Sequence, residues 1–168
     1  MQPVVKAISV RQPWTGCIAT NAAGAKRIEN RGFATTYRGR LYIHAATAAD
    51  VQADSDPRVT ALWGRDPRIG WPVGAVTAVA ELVDVHVADD IPTLTGLNGT
   101  CCEPWGERVY NGRLARHLVL AERVQVLDRP VHCRGALGLW TPPADVIEQV
   151  EKQIAAQVEA EAAEAVNQ

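Results

Sequence analysis

Apolar residues recur at every second position in several short runs of this chain, a period typical of β-strands. The run Val4–Val10 is rich in β-branched residues, which favour strands. In Arg40–Ala45, Leu41 and Ile43 face one way and the residues between them face the other. The remaining predicted strands are Lys26–Arg31, Ala75–Val87, His117–Leu127, Val131–Cys133 and Ala136–Trp140.

Other segments carry signals for helices or loops. The predicted helices are Trp14–Ala23, Thr47–Ala53, Val59–Gly64 and a C-terminal helix that begins at Pro142-Pro143. In the last helix Val146, Val150, Ile154 and Val158 step by four, so they form one apolar stripe. The stretch Asp89–Gly112 contains several Pro and Gly residues and is predicted to be a long loop. Loops of this length inside a compact domain are more often functional than idle.

Short strands with helices placed between them, without regular strand–helix alternation, predict an α+β fold: a small barrel-like sheet flanked by helices. The chain has 168 residues, which suits one domain with one well-filled core, and it has no internal repeat. We expect a folded domain over residues 1–143 and an acidic helical extension over residues 144–168.

The net charge of −2 averages two unlike parts of the chain. From Ala144 onward there are six acidic residues and a single lysine, whereas the preceding 143 residues carry sixteen basic and thirteen acidic residues. A mildly basic body can bind a phosphate-bearing ligand, but this excess is far below that of a non-specific DNA binder. A plain surface with an acidic tail fits the same charge count.

The sequence also bears on where the protein works. No apolar run approaches the roughly 20 residues that a membrane-spanning helix needs, and no secretory signal is visible at the N-terminus. Four cysteines in a chain of this length do not make a disulfide scaffold. We therefore expect a cytoplasmic protein with no membrane partner.

Three segments of the N-terminal third carry a recognisable pattern. They are Ser9-Val10-Arg11-Gln12-Pro13-Trp14, Gly24-Ala25-Lys26-Arg27-Ile28-Glu29-Asn30-Arg31 and Tyr37-Arg38-Gly39-Arg40-Leu41-Tyr42-Ile43-His44-Ala45. Together they resemble the ASCH domain (activating signal cointegrator homology) of the PUA-like superfamily, whose hallmark is Gly-x-Lys-x-x-Glu-x-Arg. Gly24, Lys26, Glu29 and Arg31 fill that hallmark in register. Later segments around Pro72, Glu103-Pro104-Trp105 and Arg134–Trp140 extend the resemblance over about residues 4–143.

This resemblance implies a small PUA-like β-barrel flanked by helices, with a cleft around the Lys-Glu-Arg segment and the first helix. Members of the family are thought to bind RNA or nucleotides, some similar proteins hydrolyse N4-acylated cytidine, and some have been assigned ribonuclease activity. The resemblance therefore favours a protein that binds RNA, a nucleotide or a nucleoside, with hydrolysis of such substrates as the alternative. We expect no cofactor.

Lys26, Glu29 and Arg31 can serve either a site or the fold. Glu29 and Arg31 share one face of the predicted strand, and a carboxylate between two cations is held ionised and oriented. Such a trio suits a polar ligand, because Glu can accept from an exocyclic amine of a base. Spacing alone equally fits a salt-bridged strand end that stabilises the barrel.

The deacetylating relatives have Lys-x-x-Thr, with the Thr hydroxyl as nucleophile and the Lys as its base. Here the fourth position is Glu29, and Thr35 and Thr36 are out of register. A carboxylate can activate water but cannot repeat the role of the hydroxyl. If the protein is an enzyme, Lys26 and Glu29 are the predicted catalytic residues, with Glu103 as a further acid–base group.

Several other residues are candidates for ligand contacts, each with a structural alternative. Trp14 and Trp105 can stack on a base, with Trp105 as a lid on the long loop, or the rings can pack on the barrel. The remaining predicted contacts come from Arg11 and Gln12 at the strand-to-helix corner and from Arg40 in a basic wall with Arg31 and Arg38. His44 shares a strand face with Arg40; a hydrogen-bonded structural histidine is the favoured interpretation.

The cysteines and the last helix complete the expectations. Cys101-Cys102, His117, His132 and Cys133 offer soft ligands, but no Cys-x-x-Cys pattern is present, and we predict no metal site. The C-terminal helix can support a homodimer or a partner through its apolar stripe. Docking of the helix on its own barrel is the simpler interpretation.

Overall fold

A computed structural model describes residues 4–64, 70–92 and 98–166. The strands are, in chain order, β1 (Lys6–Val10), β2 (Ile28–Arg31), β3 (Gly39–Ala45), β4 (Ala75–Val87), β5 (Asp90–Pro92), β6 (Asn98–Thr100), β7 (Val109–Tyr110), β8 (Arg113–Leu114), β9 (Arg116–Leu120), β10 (Gln125–His132) and β11 (Leu139–Trp140). The helices are α1 (Trp14–Ile18), α2 (Pro57–Trp63) and α3 (Ala144–Val166), and a 3-10 helix spans Val51–Ser55.

One seven-stranded sheet curves into a half-barrel, with strand order β11-β1-β3-β4-β9-β2 and β10 paired to β4. The pair β1–β3 is parallel and the other pairs are antiparallel. The long strand β4 holds the sheet together, since its first half pairs with β3 and β10 and its second half with β9. The pairing of β4 with β9 shifts register between Leu82 and Asp84, an irregularity of the kind that bends a strand.

The period-two pattern of the strands distributes their side chains between two cores. On β3, Tyr42 packs into a core with the α3 residues Val146 and Val150, while Leu41 and Ile43 pack into a second core inside the curved sheet. Residues on both faces of β3 are therefore buried. Tyr42 and His44, on the face opposite Leu41 and Ile43, are buried although their side chains carry polar groups.

The helix α1 is shorter than the predicted Trp14–Ala23, because the chain turns back after Ile18. The backbone N–H of Lys26 donates to the Cys17 carbonyl at 2.8 Å, and the Arg27 guanidinium donates to the Ile18 carbonyl at 3.0 Å. These bonds satisfy carbonyls that a longer helix would use itself. The same turn delivers Lys26 to the start of β2.

Three further predictions of secondary structure need correction. The helix predicted from Thr47 is absent: its Asp50 is tied to the β1–α1 corner, where its N–H donates to the Gln12 carbonyl at 2.7 Å, and only the 3-10 helix follows. His117–Leu127 divides into β9 and β10, since Asn21 bonds both backbone groups of Val124 between them. The predicted loop Asp89–Gly112 contains the short strands β5, β6 and β7, and its residues 93–97 lie outside the described residues.

The C-terminal helix forms as predicted and packs on its own sheet. Val146, Val150 and Ile154 of α3 are buried against the face that includes β10, whereas Val158 is 49% exposed. The later turns of α3 are exposed and acidic. No helix in the described parts of the chain has the length and apolarity needed to cross a membrane.

Candidate functional site

Three charged side chains of the segment 24–31 form an ion-pair network, here defined as Lys26, Glu29 and Arg31. The Lys26 Nζ lies 2.7 Å from Glu29 Oε2, and Arg31 Nη2 lies 3.0 Å from Glu29 Oε1. Lys26 also donates to the Ile28 carbonyl, and Arg31 donates to the Ser9 carbonyl at 2.8 Å. Lys26 and Glu29 are only 4% and 7% exposed, so this network belongs to the interior of the protein.

Two opposing effects set the protonation of Glu29. Burial by itself raises the pKa of this carboxyl group, but the nearby charges of Lys26 and Arg31 and their hydrogen bonds outweigh the burial, so the pKa lies below its ordinary value. Glu29 is therefore an ionised carboxylate at neutral pH. Each of its oxygens is held by one cation and retains further capacity to accept a hydrogen bond.

A cleft of about 280 Å³ opens beside this network. Its volume is near the lower end of the roughly 300–1,000 Å³ typical of small-molecule sites. Its walls come from α1, β2, the start of α2, the segment around Asp50 and the loop 101–110. The lining residues are Trp14, Lys26, Glu29, Asn30, Asp50, Arg58, Trp105, Glu107 and Tyr110.

The aromatic wall of the cleft is built around Arg58 on α2. The rings of Trp14 and Trp105 meet edge to face with centroids 6.3 Å apart, and the Arg58 guanidinium lies 5.6 and 5.1 Å from their respective centroids. Arg58 is itself fixed by Asp56 at 2.7 Å and by Glu107 at 2.9 Å. The Trp14 indole N–H donates to Asp50 Oδ2 at 3.0 Å, which orients the ring at the cleft edge.

The loop that carries Trp105 is anchored to β2 by Asn30. The Asn30 amide donates to the Trp105 carbonyl and accepts from the backbone N–H of Glu107, both at 2.9 Å. The Trp105 indole N–H donates to the Gly24 carbonyl at 3.1 Å, and the ring is only 5% exposed. Trp105 is thus a fixed wall of the cleft, and its predicted role as a lid is corrected.

The predicted ligand contacts fall into two groups. Trp14, Lys26, Glu29 and Trp105 line the cleft, and Arg31 joins them through Glu29. The Arg31 guanidinium also lies 5.8 Å from the ring centroid of the cleft residue Tyr110.

The other predicted contacts lie elsewhere in the fold. Arg11 is exposed and does not line the cleft. Gln12 is buried and fastens the β1–α1 corner, since it donates to the Pro72 carbonyl and accepts from the Gly16 N–H, both at 3.0 Å. Glu103, the predicted acid–base group, is exposed; the neighbouring acid that lines the cleft is Glu107.

Arg40 and His44 are occupied by structural contacts. Arg40 Nη2 lies 2.9 Å from both carboxylate oxygens of Glu151 on α3, so it joins the sheet to the last helix rather than forming a basic wall with Arg31. His44 is buried and bonded to Ser9 Oγ at 3.1 Å and to the Cys133 carbonyl at 3.0 Å. Burial lowers the pKa of His44, so its ring is neutral and structural.

Sequence reasoning missed five lining residues: Asn30, Asp50, Arg58, Glu107 and Tyr110. Asn30 lies inside the recognised segment and could have been included. The Asp56-Pro57-Arg58 sequence signals a helix start, and Asp56 does cap α2 through the N–H of Arg58 at 2.8 Å. Nothing local in the sequence indicates that Arg58 then reaches across to Trp14 and Trp105, because that contact depends on tertiary packing.

A curved mixed sheet with flanking helices, closed by a C-terminal helix, is the architecture of the PUA-like fold. Solved structures of the same class are similar to this chain over most of its length. A tyrosine-to-phenylalanine variant of the ASCH protein from Zymomonas mobilis has a TM-score of 0.54 at 15% identity, covering 89% of this chain and 98% of that one.

Two further structures of the Zymomonas mobilis protein agree. ASCH itself has a TM-score of 0.52 at 15% identity, and a serine-to-alanine variant of it has 0.52 at 16%; both cover 88% of this chain and 94% of theirs. The likeness confirms the predicted PUA-like fold and the ASCH resemblance at the level of the fold. No family model matches the sequence, and no curated protein does.

Proposed function

We propose that the protein binds a nucleobase with an exocyclic amine, presented by a nucleoside or by RNA, in the cleft beside Glu29. The observation that carries the proposal is the buried, ionised carboxylate of Glu29, held between Lys26 and Arg31 on the wall of a cleft of base size. A carboxylate accepts a hydrogen bond from the cytosine amine and has no donor for the carbonyl at the same position of uracil.

The charge of the cleft supports recognition of a base more than recognition of phosphate. Lys26 and Arg58 contribute two cations to the lining, and Glu29, Asp50 and Glu107 contribute three carboxylates. The cations are already paired with carboxylates at 2.7–2.9 Å. Such a surface has no excess positive potential to attract a phosphate backbone. Trp14 at the cleft edge offers an aromatic face for stacking.

The same geometry argues against the hydrolytic alternative. The low pKa of Glu29 makes it a weak general base near neutral pH, and both of its oxygens face cations. The Lys26 ammonium is committed to Glu29 and to the Ile28 carbonyl. Among the described residues that line the cleft, none is Ser, Thr or Cys, so the lining supplies no aliphatic hydroxyl or thiol as a nucleophile.

The test is calorimetric titration of the purified protein with cytidine, uridine and short RNAs that contain or lack cytosine. We expect cytidine to bind at least about fivefold more tightly than uridine, because a good base-edge contact is worth about 1–3 kcal/mol. Comparison of the free nucleoside with the RNAs distinguishes the two sources of the base. Glu29→Gln is expected to remove the preference, and Glu81→Gln, at an exposed glutamate of β4, is the matched control.

Two results would contradict the proposal. The first is the absence of saturable binding by any nucleoside or RNA to protein whose folding has been verified by circular dichroism. The second is turnover of RNA or N4-acetylcytidine, followed by chromatography, that is lost in Lys26→Met protein whose folding has also been verified by circular dichroism, since turnover of this kind assigns the cleft to hydrolysis.

A further inference from the structure

Two histidines and two cysteines converge beyond the cleft, at the junction of β4, β9 and the loop 101–107. This Cys/His cluster comprises His86, Cys101, Cys102 and His117. His86 and His117 are cross-strand neighbours in the β4–β9 pair, and the two cysteines approach from the loop. One nitrogen or sulfur atom from each residue lies within 4.8 Å of the other three.

The separations between the sulfur and nitrogen atoms match the edges of a small tetrahedron. Cys101 Sγ lies 3.6 Å from His86 Nε2 and 3.4 Å from His117 Nδ1, and Cys102 Sγ lies 3.3 Å from His86 Nε2. Zinc bound tetrahedrally at about 2.3 Å from sulfur and 2.0–2.1 Å from nitrogen requires sulfur–nitrogen separations of about 3.6 Å. These three separations are close to those that zinc requires, and all four ligand atoms lie within 4.8 Å of one another.

The outer hydrogen bonds fix both imidazole rings with a lone pair toward the cluster. His86 Nδ1 lies 2.8 Å from Asp84 Oδ2, and His117 Nε2 lies 2.9 Å from the Glu107 carbonyl oxygen. A carboxylate and a carbonyl can only accept, so each of these nitrogens carries the proton. In the neutral rings, the nitrogens that face the cysteines, His86 Nε2 and His117 Nδ1, carry the lone pairs that a metal needs.

The backbone also brings the adjacent sulfur atoms together. Cys102 has a φ of 67°, in the left-handed region that non-glycine residues seldom adopt. Gly106 packs so closely on the cluster that a Cβ there would clash with the Cys101 carbonyl and would lie 2.8 Å from the His117 ring. The Asp89 N–H donates to Cys101 Sγ at 3.3 Å, which fixes the position of this sulfur atom.

We propose that His86, Cys101, Cys102 and His117 bind one Zn²⁺ in a tetrahedral structural site. Two thiolates and two neutral imidazoles are a zinc ligand set, and Asp84 and the Glu107 carbonyl supply the outer hydrogen bonds that such sites use. Four protein ligands complete the coordination and leave no position for substrate, so the metal is structural. The site joins β4 and β9 to the loop 101–107. Trp105 and Glu107 of this loop line the cleft.

This proposal differs from the prediction made from the sequence. There, adjacent cysteines without a Cys-x-x-Cys pattern led us to predict no metal site. The spacing of the four ligands has no familiar motif, because the β4–β9 pairing, not local sequence, brings His86 beside His117. The left-handed backbone at Cys102 then allows neighbouring cysteines to face one point. Neither feature can be read from residue order.

The experiment measures metal binding directly. The full chain is unfolded in reductant and chelator, refolded without metal, and titrated with Zn²⁺ and separately with Co²⁺. We expect one zinc per chain by mass spectrometry of the native protein. We also expect the intense visible absorption of tetrahedral cobalt together with a thiolate-to-cobalt charge-transfer band, and zinc should abolish both.

Variants assign the signal to these residues. Cys102→Ser and His86→Gln are expected to lose the cobalt spectrum and stoichiometric zinc, and Asp84→Asn to bind zinc roughly 10–100-fold more weakly. Cys133→Ser, at a half-buried free cysteine outside the cluster, should behave as wild type.

Three results overturn the proposal: reduced, folded wild-type protein that takes up no zinc; octahedral cobalt without charge transfer; or full zinc binding by Cys102→Ser. A Cys101–Cys102 disulfide in freshly purified, zinc-free protein would likewise assign the pair to redox chemistry. The wild-type spectrum decides the matter even where a variant fails to fold.

Discussion

The ion-pair network and the Cys/His cluster lie near the two ends of the loop 101–110. The charges and lone pairs of the two regions are balanced in different ways. In the network, Glu29 faces Lys26 and Arg31, so negative and positive groups compensate within the chain. In the cluster, His86 faces both sulfur atoms and His117 faces that of Cys101. The first arrangement is complete without a ligand, whereas the second acquires its counter-charge from a cation.

The comparison shows how buried polar groups indicate function. A self-compensated network is ambiguous, because the same contacts would stabilise a fold that binds nothing. Two histidines and two cysteines whose ligand atoms all lie within 4.8 Å of one another are more specific, because these are the side chains that zinc prefers. The metal site thus has the sharper geometric signal, although the ion-pair network has the sharper sequence signal.

The largest expected effect comes from breaking the network. Lys26→Met removes one of the two cations that face a carboxylate only 7% exposed, and it leaves Glu29 with Arg31 alone. Loss of one partner of a buried ion pair costs about 3–5 kcal/mol of unfolding free energy. Urea unfolding followed by circular dichroism measures this loss. Lys152→Met, at an exposed lysine of α3, should change stability by less than about 0.5 kcal/mol.

If Lys26→Met is as stable as Lys152→Met, the network contributes little to folding. The difference between the network and the cluster would then be smaller, because the ion pairs of the network would not stabilise the fold by themselves. The double variant Lys26→Met, Glu29→Leu removes charge from both sides and is expected to recover part of the lost stability. Failure to recover any of it would locate the loss in packing rather than in the unpaired carboxylate.

Removal of zinc tests the other side of the comparison. A ligand at 100 times its dissociation constant stabilises the folded state by about 2.7 kcal/mol, so chelation should lower the melting temperature of the loaded protein by roughly 5–10 °C for a chain of this length. Differential scanning calorimetry with and without chelator measures the shift. Cys102→Ser should melt at one temperature in both conditions, and a chelator-dependent shift in that variant would contradict the assignment.

A third prediction concerns the pH dependence of Glu29. Its pKa is lower in the folded protein than its ordinary value, so its contribution to stability is complete above that ordinary value and is lost as the pH falls toward the folded value. Glu29→Gln is therefore expected to be clearly less stable than wild type at pH 7, with the difference shrinking as the solution is acidified. The groups that lower this pKa are Lys26 and Arg31, through their charges and their hydrogen bonds.

Unfolding by urea at a series of acidic pH values measures this difference. The Glu81→Gln variant serves as the reference for an exposed carboxylate and should show little change with pH. If the difference in unfolding free energy between wild type and Glu29→Gln increases on acidification, burial rather than the two cations dominates the pKa of Glu29. The network would then not be compensated within the chain.

Sequence reasoning succeeded where a pattern was long or specific. The strand β4 has its predicted bounds, Ala75–Val87, because thirteen residues carry a strong β signal. The motif containing Lys26 and Glu29 located two lining residues of the cleft. Sequence reasoning failed at Thr47, which was predicted to cap a helix. The hydrogen bond from the Asp50 N–H to the Gln12 carbonyl holds this segment at the β1–α1 corner instead. Tertiary contacts of this kind leave no trace in residue order. In the Cys/His cluster the sequence named Cys101, Cys102 and His117 as soft ligands, but not His86 or the convergence of the four residues.

The smallest expected effect separates a predicted ligand contact from a structural one. Arg40→Ala removes the guanidinium that bonds Glu151, yet Glu151 keeps the Tyr42 hydroxyl as a donor at 2.5 Å and is about 41% exposed on its side chain. An ion pair this accessible contributes about 0–1 kcal/mol to stability.

The same variant also tests the site. Since Arg40 contacts α3 and lies outside the cleft, the cytidine affinity of Arg40→Ala should equal that of wild type in the same calorimetric titration. Arg58→Ala, the matched change at an arginine that does line the cleft, should weaken cytidine binding. A severalfold loss of affinity in a stable Arg40→Ala protein would show that the ligand reaches α3, and the cleft would no longer be the whole site.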